Sequence, residues 1–85
     1  MSTTITIRYF ASLREALGEQ EQVPWTAGQT LAQLRDALLA RGEPHASALA
    51  RGRALRCALN QQLAAESAEI PAGAEVAFFP PVTGG

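Results

Sequence analysis

Residues 4–10 alternate at period two among β-branched, polar and aromatic side chains, and this alternation predicts a strand. Ile5, Ile7 and Tyr9 fall on one face; Thr4, Thr6, Arg8 and Phe10 fall on the other. The period then changes. Leu13 and Leu17 stand four apart between Ala11 and Leu17, which suits about two helical turns stopped by Gly18. A short strand is expected at Gln22–Trp25, at a sheet edge because Pro24 has no N–H to give a ladder. Thr30 and Gln33 have the spacing of a capping box, and Leu31, Leu34 and Leu38 follow at steps of three and four. They predict a helix from Leu31 to about Arg41, with Gly42 as a left-handed C-cap. Pro44 opens a short helical piece to about Ala50, closed by Gly52. Leu55, Cys57 and Leu59 alternate with Arg56, Ala58 and Asn60 as a further strand, and Asn60-Gln61 turns it into a short return at Gln62–Ala64. The turn sequence Ile70-Pro71-Ala72-Gly73 leads into a last strand from Glu75 to Phe79.

Strands dominate both ends and one main helix sits between them. That order predicts an α+β domain, a mixed sheet with the helix packed across one face, and a β-grasp (ubiquitin-like) roll with the first and last strands side by side. With 85 residues the chain holds one small core, and no repeat or linker divides it. Residues 1–81 are expected to form the domain and residues 82–85 an extended tail.

Period-two geometry also assigns the faces of the sheet. Ile5 and Ile7 of the first strand, and Val76 and Phe78 of the last, should meet the helix. Phe10 and Phe79 are left on the bare face, close together if the end strands are neighbours. Two exposed rings on one face suggest a protein-binding patch, which Leu63 would extend. The alternative is that each is an isolated surface apolar residue.

Composition narrows the chemistry. Hydrophobic residues make up 47% of the chain and charged residues 18%, as in a folded globule. The formal net charge of −1 argues against nucleic acid as a partner, since phosphate neutralisation needs a basic surface. No apolar run has the roughly 20 residues of a membrane span, and the first residues do not have the basic and apolar regions of a secretory signal. A cytoplasmic location and no membrane partner are expected. One cysteine (Cys57) and one histidine (His45) make neither an internal disulfide nor a metal site. Cys57 reads as a small core hydrophobe in preference to a persulfide relay, and His45, beside Pro44, as a solvated surface residue. All seven basic residues are arginine. Genomic bias explains this in an alanine-rich chain.

The chain ends Phe78-Phe79-Pro80-Pro81-Val82-Thr83-Gly84-Gly85. The two prolines lack N–H donors, so the ladder must stop and the exit is stiff. Val82–Gly85 then extends up to about 13–14 Å. Gly84 and Gly85 carry no side chain, which lets a narrow tail enter a slot and present its carboxylate at the base. An ordinary frayed terminus is the plainer alternative.

This ending, preceded by Glu75-Val76-Ala77, resembles the C-terminal signature of the small-subunit family of molybdopterin synthase. Tyr9-Phe10-Ala11-Ser12-Leu13-Arg14-Glu15 is similar to that family's first strand and following helix, and Ala58-Leu59-Asn60-Gln61 to its mid-chain Val-Asn-Gln segment, with Leu59 here in place of the commoner valine. The resemblance spans the whole domain; residues 19–53 carry little of it beyond the helix. It implies a β-grasp fold and a sulfur-carrier role. A partner adenylating (E1-like) enzyme would use ATP to activate the terminal carboxylate, and a sulfur donor protein would convert the acyl adenylate to a thiocarboxylate. Within the large subunit of the synthase, that group would supply sulfur to cyclic pyranopterin monophosphate. The resemblance makes Gly85 the sulfur-bearing residue and Gly84, Thr83 and Val82 the threading segment. It makes Phe10, Leu63, Phe79, Pro80 and Pro81 the partner contacts. No cofactor would be bound tightly, ATP acting through the adenylating partner, and catalytic side chains would belong to the large subunit. The thiamine (thiazole) sulfur carriers, which also end in Gly-Gly, and ubiquitin-like protein modifiers are the alternatives.

Overall fold

The computed structural model describes residues 3–81. The chain runs β1 (Thr4–Tyr9), α1 (Ser12–Leu17), β2 (Gln20–Pro24), α2 (Leu31–Leu39), α3 (His45–Ala48), β3 (Arg56–Leu59), β4 (Gln62–Ala64) and β5 (Glu75–Phe79). One five-stranded sheet has the order β2-β1-β5-β3-β4. The end strands β1 and β5 are parallel neighbours in its middle, and every other pairing is antiparallel.

Alternation sets which side chains are covered. Ile5, Ile7 and Tyr9 of β1, Val76 and Phe78 of β5 and Cys57 of β3 point to the helices and are buried. They pack with Leu13 of α1, with Leu31, Leu34 and Leu38 of α2, and with Leu49 after α3. Full burial of each large apolar side chain contributes about 1.5–3 kcal/mol. The Tyr9 and Phe78 rings stack with centroids 6.5 Å apart.

Helix α2 begins with the predicted reciprocal cap: the Gln33 N–H donates to Thr30 Oγ1 at 3.2 Å and the Thr30 N–H to Gln33 Oε1 at 2.9 Å. It ends at Leu39, two residues short of the expected Arg41, with Ala40 as its cap. The N–H groups of Arg41 and Gly42 reach back to Leu38 and Leu39 in tight turns, and Gly42 has φ +84. This early end lets Arg41 leave the helix surface and reach Glu21. Strand β2 starts at Gln20 and stops at Pro24, two residues earlier and one shorter at its end than the sequence suggests. Trp25 lies beyond it and donates its indole N–H to the Ile70 carbonyl at 2.7 Å. The first strand ends at Tyr9, not Phe10, and β3 begins at Arg56, not Leu55. Between β3 and β4, Asn60 and Gln61 have φ +49 and +70, the pair of left-handed conformations that a tight two-residue hairpin of right-twisted strands requires.

Candidate functional site: a groove on the bare sheet face

On the helix-free face a row of residues crosses the sheet in register. Arg8 of β1 pairs with Ala77 of β5, Ala77 with Ala58 of β3, and Ala58 with Leu63 of β4. The two central positions carry only methyl groups, so the middle of the row is a floor. Larger neighbours, Phe10, Phe79 and Leu63, stand around it as walls. The result is a groove of about 530 Å³ floored by Ala58 and Ala77 and bounded by Phe10, Leu63, Phe79 and Pro80, with Arg8 and Glu75 at its polar end. Phe10 is 39% exposed and Leu63 70%, the large apolar side chains most open to water among the described residues. Covering such surface is favourable by roughly 25 cal/mol per Å².

The exit of the chain adjoins this groove. Pro80 lines it, and Pro81 lines a second one of about 620 Å³ beside the β3–β4 hairpin; Leu63 is a wall of both. The expected contact residues Phe10, Leu63, Phe79 and Pro80 thus come together, with Pro81 next door. Val82, Thr83, Gly84 and Gly85 lie outside the described residues.

Arg8 is the charged feature of the groove. Its guanidinium carbon lies 5.3 Å from the centroid of the Phe10 ring. Nη1 approaches Glu75 Oε2 only to 3.7 Å, an ion pair too long for a hydrogen bond. Nε is shielded from water and has no hydrogen-bond partner among the described residues.

Cys57 faces the core, its Sγ 3.5 Å from the Ala64 carbonyl oxygen. Burial, reinforced by Glu66 nearby, pushes its thiol pKa up, so it stays protonated and is a poor nucleophile. His45 departs from the expectation of a solvated residue: it is buried, edge-on to Tyr9 with ring centroids 6.4 Å apart. Its Nε2 lies 2.8 Å from Glu21 Oε2, the oxygen that accepts the Tyr9 hydroxyl at 2.7 Å. Arg41 Nη1 donates to Glu21 Oε1 at 2.6 Å. Burial alone would raise the Glu21 pKa, but these three donors outweigh it and bring it down to about 2. Burial and the same carboxylate push the Tyr9 hydroxyl far above its usual range. The cluster sits on the helix side of the sheet, away from the groove, and its office is structural. The one signal for it in the sequence was Glu21 sharing the inward alternation of β2 with Val23.

A second network holds the segment after α3. Arg35, 3% exposed, donates from Nε to the Leu49 carbonyl at 2.8 Å, from Nη2 to those of Ala50 and Arg53, and from Nη1 to Glu66 at 3.1 Å. Arg51 bridges Asp36, Glu66 and the Ala32 carbonyl at the surface. Among the described residues no three His, Cys, Asp or Glu side chains are grouped to hold a metal ion, and no helix is long and apolar enough to cross a membrane.

A mixed sheet with its end strands paired at the centre, one main helix on one face and an apolar groove on the other defines a ubiquitin-like β-grasp domain. The profile of the ThiS family matches residues 7–85. The chain is 38% identical to the molybdopterin synthase sulfur carrier subunit of Escherichia coli K12, over 81 residues that cover 95% of this chain and 99% of that one. It is 36% identical, with the same coverage, to the subunit of the same name from Haemophilus influenzae. Its fold is similar to that of small archaeal modifier protein 1 of Haloferax volcanii, with a TM-score of 0.74 and 26% identity over 94% of this chain and 99% of that one. The chain belongs to the ThiS family, alongside the molybdopterin synthase sulfur carrier subunits.

Proposed function

We propose that this protein is a sulfur carrier and acts as the small subunit of molybdopterin synthase. The observation that carries the proposal is the groove of Phe10, Leu63 and Phe79 at the point where the chain leaves the sheet through Pro80. It is a docking platform beside a tail, in a chain aligned almost end to end with two sulfur carrier subunits. In this scheme the Gly85 carboxylate attacks the α-phosphorus of ATP in an adenylating enzyme and pyrophosphate leaves. Sulfide-level sulfur delivered by a donor protein then attacks the acyl carbon and displaces AMP, giving a thiocarboxylate with no change of oxidation state. A carboxylate is a poor electrophile until it carries such a leaving group, and the thioacid sulfur that results is a good nucleophile. Gly84, Thr83 and Val82 thread the reactive end into the large subunit, where the sulfur passes to cyclic pyranopterin monophosphate. The carrier needs no general base, which accords with a histidine and a cysteine committed to the core. The setting is the cytoplasm.

Similarity to an archaeal modifier protein favours a second reading, attachment of Gly85 to other proteins, and the ThiS name a third, sulfur delivery to a thiazole precursor. Intact-mass spectrometry after incubation with ATP, the adenylating enzyme and the sulfur donor tests the proposal. The expected product has one oxygen replaced by sulfur and disappears when Gly85 is deleted. That product must then convert cyclic pyranopterin monophosphate in the presence of the large subunit. Conversion of a thiazole precursor alone, or protein conjugates alone, would assign the chain to one of the other two roles.

A further inference from the structure

From the charge of the bare face and the unspent donors of Arg8 we infer that Arg8 is a specificity determinant of docking and pairs with a carboxylate of the molybdopterin synthase large subunit; the inference rests on the docking role proposed above. The strand positions of the bare face carry Arg8, Arg56 and Glu75, one net positive charge on a chain whose formal charge is −1. The face is therefore opposite in sign to the whole molecule, and an acidic partner surface complements it. Within the groove, Arg8 is a cation whose hydrogen-bonding capacity is largely unspent. Glu75 stands at 3.7 Å, and the shielded Nε has no hydrogen-bond partner among the described residues. The Phe10 ring beneath the guanidinium holds it in place without using its donors. A guanidinium covered by a partner in this state costs free energy unless an acceptor arrives with that partner, and a carboxylate matches its planar fork. An apolar knob with an adjacent acid fits the groove; an apolar knob alone buries Arg8 with no hydrogen-bond acceptor nearer than Glu75 at 3.7 Å, and so is disfavoured.

The test is titration of the large subunit from the same organism with the intact chain at several salt concentrations. Arg8→Met is expected to weaken binding about tenfold and to flatten its salt dependence, while Arg8→Lys restores part of the loss. Glu75→Gln is expected to tighten binding, because it removes the internal competitor for Arg8. Phe10→Ala reports on the face itself. If Phe10→Ala weakens binding and Arg8→Met does not, the inference about Arg8 fails and the docking face stands. The inference also fails if Glu75→Gln weakens binding as much as Arg8→Met, since Arg8 then serves only the internal pair. If Phe10→Ala has no effect, the docking role itself is overturned. Thermal unfolding of each free variant separates these outcomes from loss of fold.

Discussion

His45 Nε2 lies 2.8 Å from the same Glu21 oxygen that accepts the Tyr9 hydroxyl, so three elements of the fold converge on one carboxylate. The Glu21 pKa falls from about 4.5 to about 2 on folding. A carboxyl with a depressed folded pKa contributes stability that is complete above its unfolded value and is lost as pH falls through the folded one. Allowing for solvent screening, this contribution is about 1–2 kcal/mol. Urea unfolding of the wild type and Glu21→Gln should therefore show a stability gap that shrinks between about pH 5 and pH 2. A gap independent of pH over that range would contradict the assignment.

Arg35 makes its bonds with all three guanidinium nitrogens, to carbonyls that no other side chain serves among the described residues. Lysine keeps the charge and loses the fork. Arg35→Lys is expected to destabilise the protein by about 2–4 kcal/mol in chemical denaturation, because one ammonium cannot replace the guanidinium at the Leu49, Ala50 and Arg53 carbonyls and Glu66 together. A loss below about 1 kcal/mol would mean that water replaces the guanidinium without difficulty.

Leu63 behaves differently because it is 70% exposed. Leu63→Ala should change the stability of the free protein by no more than about 0.5 kcal/mol. The same change should weaken large-subunit binding by about 1–2 kcal/mol, as expected of an apolar anchor in an interface. Calorimetric titration and thermal unfolding on one sample measure both; unchanged binding would remove Leu63 from the contact surface.

Gln61 holds φ +70 in the β3–β4 hairpin, a conformation that glycine adopts without steric cost. Gln61→Gly should stabilise the protein by about 0.5–1 kcal/mol, read as a higher midpoint of thermal unfolding. A lower midpoint would show that the Gln61 side chain contributes more than its backbone strain costs.

What was legible in the sequence is what depends on near neighbours. Alternation along β1 and β5 determined which residues face the helices, and hence left Phe10 and Phe79 on the bare side. The Thr30–Gln33 box determined where α2 begins, since both partners lie within one turn. The hairpin at Asn60-Gln61 was likewise local. Tertiary structure alone decided the fate of Glu21, His45, Arg35 and Glu66. Glu21 and His45 meet across 24 positions, and Arg35 and Glu66 across 31. A polar side chain in a short sequence window looks the same whether water or a distant partner will satisfy it, so His45 beside Pro44 read as solvated. Past the early end of α2, Arg41 likewise donates to Glu21, a carboxylate that the helix's own sequence does not contain. Periodicity is a property of consecutive residues and survives in the sequence; hydrogen-bond partnership between distant residues comes into being only when the chain closes on itself.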